Sequence, residues 1–207
     1  MDFFTAPPPR DQEPEEETKS PPWAAPPDDV LGGVAPIGRI LFQSETLVIA
    51  LASVTAFPEG AEIGIRMTAR RVEGVNDDTW EDQHDVLFGH RRHRFRPGQS
   101  LDDSVIRFGV RFPDGSKATT LDDRPGRYES PPPRPEGPIL DNRGGGSGSG
   151  SSRSANSSWK LWLWPLPPPE PFEFAVEWPA FGVPLTFTEI DGAAIATAAG
   201  QAQPYWP

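Results

Sequence analysis

Two-residue alternation of apolar and polar side chains constrains this chain more than any other feature. Between Ala61 and Ala69 the odd positions are Ala61, Ile63, Ile65, Met67 and Ala69, whereas the even ones are Glu62, Gly64, Arg66 and Thr68. Successive side chains of a strand point to opposite faces, so the pattern predicts a strand buried on one face. The preceding run 46–57 is apolar and β-branched, and Pro58-Glu59-Gly60 supplies turn chemistry. Together they predict a long antiparallel hairpin. A second hairpin is predicted where Ile106, Phe108, Val110 and Phe112 alternate with Val105, Arg107, Gly109 and Arg111. There Pro113-Asp114-Gly115-Ser116 turns the chain into 117–120, Asp-Gly supplying the positive φ that a tight turn needs.

The C-terminal part returns to strand patterning. Trp159-Lys160-Leu161-Trp162-Leu163-Trp164 is apolar on both faces apart from Lys160, which predicts a strand covered on both sides. Phe172, Phe174, Val176 and Trp178 alternate with Glu173, Ala175 and Glu177, and 185–190 gives one more strand. Asp191 is placed to cap an alanine-rich helix over 193–199, with Pro204 barring its continuation. Hairpin-connected strands closed by one short helix predict a mainly β chain, an antiparallel β-sandwich that is immunoglobulin-like in a loose sense. A barrel plugged by the helix is the alternative. The absence of cysteine excludes the antibody disulfide, thiolate metal sites and a cysteine nucleophile.

Proline and glycine, 27 and 20 residues, are clustered rather than spread, and they set the expected boundaries. Residues 1–36 are rich in Pro, Asp and Glu and are expected to form a disordered tail, with Phe3, Phe4 and Trp23 exposed. Residues 37–207 are expected to form a single β domain. Within it, 122–138 reads as a loop whose Pro131-Pro132-Pro133-Arg134-Pro135 favours polyproline II. A Gly/Ser stretch at about 141–158 reads as a flexible insertion, two domains separated by it being the alternative.

The net charge is −11, and over half of it sits in residues 1–30, where eight carboxylates face Arg10 and Lys19. Such a balance argues against nucleic acid and anionic membranes as partners, since both would be repelled. No secretory signal is visible, and the longest apolar stretch, 47–57, is too short to span a bilayer. A cytoplasmic protein is the expectation. Opposite charges on neighbouring strands attract, so Glu173 and Glu177 are expected beside a strand bearing outward arginines, Arg66 or the pair Arg107 and Arg111.

Signals for chemistry are sparse. His84, His90 and His93 cluster with Glu81, Asp82 and Asp85, residue types that can hold a divalent metal, but the spacing matches no zinc motif. Arg91, Arg92, Arg94 and Arg96 crowd the last two histidines and oppose a dication there; a solvated loop fits better. The same arginines form the densest positive patch, suited to a phosphate or to an acidic segment such as the tail. Trp159, Trp162 and Trp164, with Trp178, could form a stacking platform, although tryptophans at strand positions more often line a core. No nucleophile elbow or phosphate loop is present, and no cofactor is implied.

The stretch Trp162-Leu163-Trp164-Pro165-Leu166-Pro167-Pro168-Pro169, followed by Phe172-Glu173-Phe174-Ala175-Val176-Glu177-Trp178-Pro179 and Asp191-Gly192-Ala193-Ala194-Ile195, resembles a group of uncharacterised actinobacterial proteins. The resemblance runs from about residue 38 to 206, and 16 arginines against three lysines fit a GC-rich genome. It implies a shared fold and no catalytic residue. The functional expectation is a non-enzymatic module that binds a protein partner or itself. Trp159, Trp162, Trp164, Arg91, Arg92 and Arg94 are its candidate surface, with a metal-dependent protein using His84, His90 and His93 as the alternative.

Overall fold

Alternation in β5 (Ala61–Arg70) becomes a row of five buried side chains, Ala61, Ile63, Ile65, Met67 and Ala69, facing the core of a computed structural model. The structure describes residues 20–88, 100–123, 126, 129 and 131–207. β5 pairs antiparallel with β4 (Leu47–Ala56), as the hairpin reading requires, and on its other side with β9 (Ser154–Trp164). β9 in turn pairs with β8 (Ile139–Gly150). At the far edge β4 takes both β2 (Gly33–Ala35) and β3 (Arg39–Gln43), completing a six-stranded antiparallel sheet.

A four-stranded antiparallel sheet covers one face of this layer. Its order is β11 (Val183–Ile190), β10 (Phe172–Trp178), β6 (Arg107–Arg111), β7 (Lys117–Thr119). Phe108, Val110, Phe174, Val176 and Trp178 from this sheet share one core with Ile63, Ile65, Leu161 and Leu163 from the larger one. The result is the sandwich-like stack of antiparallel sheets that alternation predicts. A short pair, β1 (Val30–Leu31) with β12 (Gln203–Pro204), joins the two ends of the described chain.

Two helices complete the core. α2 (Gly192–Ala199) begins where the sequence predicts, the Asp191 carboxylate accepting from the Ala193 and Ala194 amides, and it packs on β2 and β4. A Cβ on Gly33 would lie 1.9 Å from the Ala198 carbonyl oxygen, so this backbone approach requires glycine. α1 (Asp77–Leu87) lies where a solvated loop is expected. Asn76 caps it by accepting from the Thr79 amide, and Trp80 and Leu87 are buried, the indole N–H donating to the Ser151 carbonyl.

Two boundary expectations are corrected. Residues 20–36, assigned to the tail, contain β1 and β2 and a docked segment, because Trp23 and the neighbouring prolines find an aromatic surface to cover. The tail reading of residues 1–19 falls outside the described residues. The Gly/Ser stretch is no linker; it forms most of the β8–β9 hairpin. Glycine is needed there for closeness, since Gly148 packs under Phe88 and Gly150 under His84.

The charge ladder takes the predicted form. Glu173 pairs in register with Arg111 and Glu177 with Arg107, and both pairs form ion pairs across β10 and β6. Arg66 is not the partner; it faces Ala50 and Ser158. The hydrogen bond from Arg111 holds the Glu173 carboxyl below the usual carboxylate range, and Glu173 holds the guanidinium above its own. A depressed carboxylate stabilises the fold above its unfolded pKa and loses that contribution as pH falls through its folded pKa. Arg111→Ala should therefore move the Glu173 titration upward. Carboxyl carbon shifts followed by NMR over the acid range would read this, and an unmoved midpoint would show that the pair does not hold in solution.

Candidate functional site

Trp162 and Trp164 lie on the face of β9 opposite Leu161 and Leu163, and hence outside the sandwich core. They are nevertheless buried, at 0% and 7% exposure. What buries them is a second, smaller cluster with Phe57 and Ile139, closed by Trp23 and Val30. Phe57 meets the Trp162 ring edge-on at 5.8 Å, and Trp23 meets Trp164 in the same way at 6.1 Å. Gly60 makes room, because a Cβ there would lie 2.5 Å from the Trp162 ring.

Residues 20–27 run over this cluster as a strap. The Trp162 indole N–H donates to the Pro22 carbonyl at 3.0 Å, and Arg143 donates to the Ala24 carbonyl at 2.9 Å. The Trp23 indole donates to the Pro132 carbonyl at 3.1 Å. The Arg134 guanidinium stands over both the Trp164 and Trp23 rings, 5.4 and 5.8 Å from their centroids. A cavity of about 170 Å³ remains between Pro22, Ala25, Pro27, Val30, Phe57 and Trp162.

Beside the strap lies an open cleft of about 660 Å³. Its walls are the β6–β7 turn, the segment 134–138 and the run 165–168, with Phe112 and Trp164 between them. Arg134, Asp114 and Glu136 bring both signs of charge to otherwise apolar walls. Hydrogen bonds from the Ser116 hydroxyl and amide hold the Asp114 carboxyl below its ordinary value, which favours its charged form. No protein-family model, curated protein or solved structure matches the chain.

The cleft and strap use only part of what the sequence singles out. Trp164 reaches the cleft; Trp162 lies under the strap. Trp159 points into the sandwich instead, half-buried, with its ring 6.3 Å from Phe108 and its N–H donating to the Ser157 hydroxyl. The three tryptophans therefore form no common exposed platform. His84 stacks between Trp80 and Phe88 at 6.0 and 4.6 Å, while Glu81, Asp82 and Asp85 are exposed. Among the described residues no group of three or more His, Asp or Glu is placed to hold a metal. His90, His93, Arg91, Arg92 and Arg94 lie outside the described residues. Phe112, Arg134 and Leu166 carry no site signal in a linear reading, which places them only in a strand, a proline tract and a Pro-rich run, although the tract around Arg134 does signal a rigid wall.

Among the described residues no helix is long and apolar enough to cross a membrane.

Proposed function

We propose that this chain is a non-enzymatic protein-binding or assembly module, and that it takes an extended polypeptide segment into the cleft between 134–138 and 165–168. The cleft itself is the observation that carries this reading. At about 660 Å³ it is of ligand-pocket size, and proline and aromatic residues dominate its walls. Prolines hold their φ fixed before any partner arrives, which lowers the ordering cost of binding. Asp114, held in its charged form by Ser116, suits the recognition of a cation or an amide better than proton donation. The net charge of −11 favours a protein partner over nucleic acid or an anionic membrane, and the cytoplasm is the compartment we assign.

Gly137 provides the test. It lines the cleft, and a Cβ built there meets no atom within 4 Å, so the backbone accepts a side chain at this position and Gly137→Trp places an indole at the cleft wall. Dodecapeptides selected from a displayed random library on the purified chain should lose at least about tenfold in affinity on Gly137→Trp, some 1.4 kcal/mol. Calorimetry reads the change. Selected peptides that bind the variant as tightly as the parent chain would end the cleft proposal.

A further inference from the structure

The strap is bound in the manner of a ligand rather than of a strand. Between residues 20 and 27 four positions, Pro21, Pro22, Pro26 and Pro27, have no backbone N–H and cannot donate to a sheet ladder. One backbone bond, from the Ala24 amide to the Pro21 carbonyl, folds the segment locally. Its hydrogen bonds with the body run through side chains: Trp162 donates to the Pro22 carbonyl and Arg143 to the Ala24 carbonyl, and the strap's Trp23 donates to the Pro132 carbonyl. An indole N–H donating to a carbonyl of a proline-rich segment laid across aromatic rings is the chemistry by which aromatic grooves read such segments in other chains. The Trp23 ring supplies the anchor between Trp164 and Arg134, and a cavity of about 170 Å³ is bordered by Pro22, Ala25 and Pro27 of the strap and by Phe57 and Trp162 of its seat.

We infer that the surface of Phe57, Trp162 and Trp164 is a receptor groove for proline-rich peptide, and that residues 20–27 are its built-in, displaceable occupant. The partner is a protein segment of the same chemistry, a proline pair followed by one aromatic residue and then small residues and prolines. Its carbonyls accept from Trp162 and Arg143. This rests on the reading of the chain as a peptide-binding module, but it uses the groove under the strap, which shares Trp164 and Arg134 with the open cleft while Phe57, Trp162 and Arg143 belong to the groove alone. Tethering keeps the strap at an effective concentration on the order of mM, so a free peptide competes only where the strap is weakened or the partner fits better.

The probe is a labelled peptide of residues 20–28, Ser-Pro-Pro-Trp-Ala-Ala-Pro-Pro-Asp, titrated by fluorescence anisotropy into the full-length chain. Trp23→Ala removes the anchor and should raise peptide affinity by about tenfold over the parent chain, because the internal competitor is loosened. Adding Trp162→Phe, which keeps a ring and removes the donor, should abolish the gain. A peptide with serine in place of its four prolines should not bind. Trp23→Phe, a milder change confined to the strap that leaves every groove residue in place, loses the bond to the Pro132 carbonyl, loosens the strap and gives the same readout should Trp23→Ala fail to fold. Equal affinity for the parent chain and for whichever loosened variant folds would overturn the inference, as would a gain that survives Trp162→Phe. Gly137→Trp reports on the cleft independently: it should leave the peptide's gain intact, so loss of the cleft reading and loss of this one are separately visible.

Discussion

Trp178→Ala is expected to lower unfolding stability by about 3–5 kcal/mol, the range for deleting a large aromatic from a packed core. The ring is 0% exposed at the end of β10, where it stacks on Phe181 at 4.2 Å and its N–H donates to the Ser104 carbonyl at 2.9 Å. It thus ties three pieces of chain, the approach to β6, β10 itself and the turn at Pro179–Phe181. Against a typical total of about 5–15 kcal/mol, this loss takes a large fraction of the folded state's margin. Trp178→Phe separates the two contributions: it keeps most of the apolar contact and forfeits the hydrogen bond, so a smaller loss is expected, with about 0.5–1.5 kcal/mol from the bond itself. Urea unfolding read by far-UV circular dichroism gives both numbers. A loss under about 1 kcal/mol for the alanine variant would mean that the small sheet is not packed on the large one as described.

That dependence on local pattern explains which parts of the fold were legible. The β4–β5 and β6–β7 hairpins, the Glu173 and Glu177 ladder and the Asp191 cap are each decided by residues within a few positions of one another or by a charge rule between neighbouring strands. Sequence alternation carries that information directly. The strap is different. Its bonds join Pro22 to Trp162 and Trp23 to Pro132, across more than a hundred residues, and its composition is that of a solvated segment. Only the aromatic face it covers makes docking favourable. The same face meets the expectation of a strand covered on both sides: Trp162 and Trp164 lie outside the sandwich, and the strap, invisible from β9 alone, takes them out of solvent, so they offer no exposed surface.

α1 was obscured by its polarity. Glu81, Asp82, Gln83 and Asp85 give it little apolar character, and three histidines nearby drew attention to chemistry. Its signals were nonetheless present. Asn76 ahead of Asp77 and Asp78 is a capping sequence with acids in the first turn, and Trp80, His84 and Phe88 repeat every fourth residue, which stacks them on one helix face. His84 is used there as an aromatic packing element against the hairpin.

The hairpin under α1 makes the second large prediction. Gly148→Leu is expected to cost about 1–3 kcal/mol or more, because overpacking forces either side chains or backbone to move. A Cβ at Gly148 would lie 1.8 Å from the Asn156 carbonyl oxygen across the hairpin and 2.6 Å from the Phe88 ring. The ring can rotate away only by giving up its place in the core, and the carbonyl can retreat only by opening the β8–β9 pairing. Gly137→Leu is the matched control: the added Cβ there meets nothing within 4 Å, so a change within about 0.5 kcal/mol is expected. Had the Gly/Ser run been a spacer, both substitutions would be tolerated alike, since a flexible linker has no neighbours to displace. Thermal and urea unfolding of the two variants therefore decide between a packed strand and a tether. An unchanged midpoint for Gly148→Leu would remove α1 from its seat on the hairpin, and with it the account of why this stretch is built from glycine.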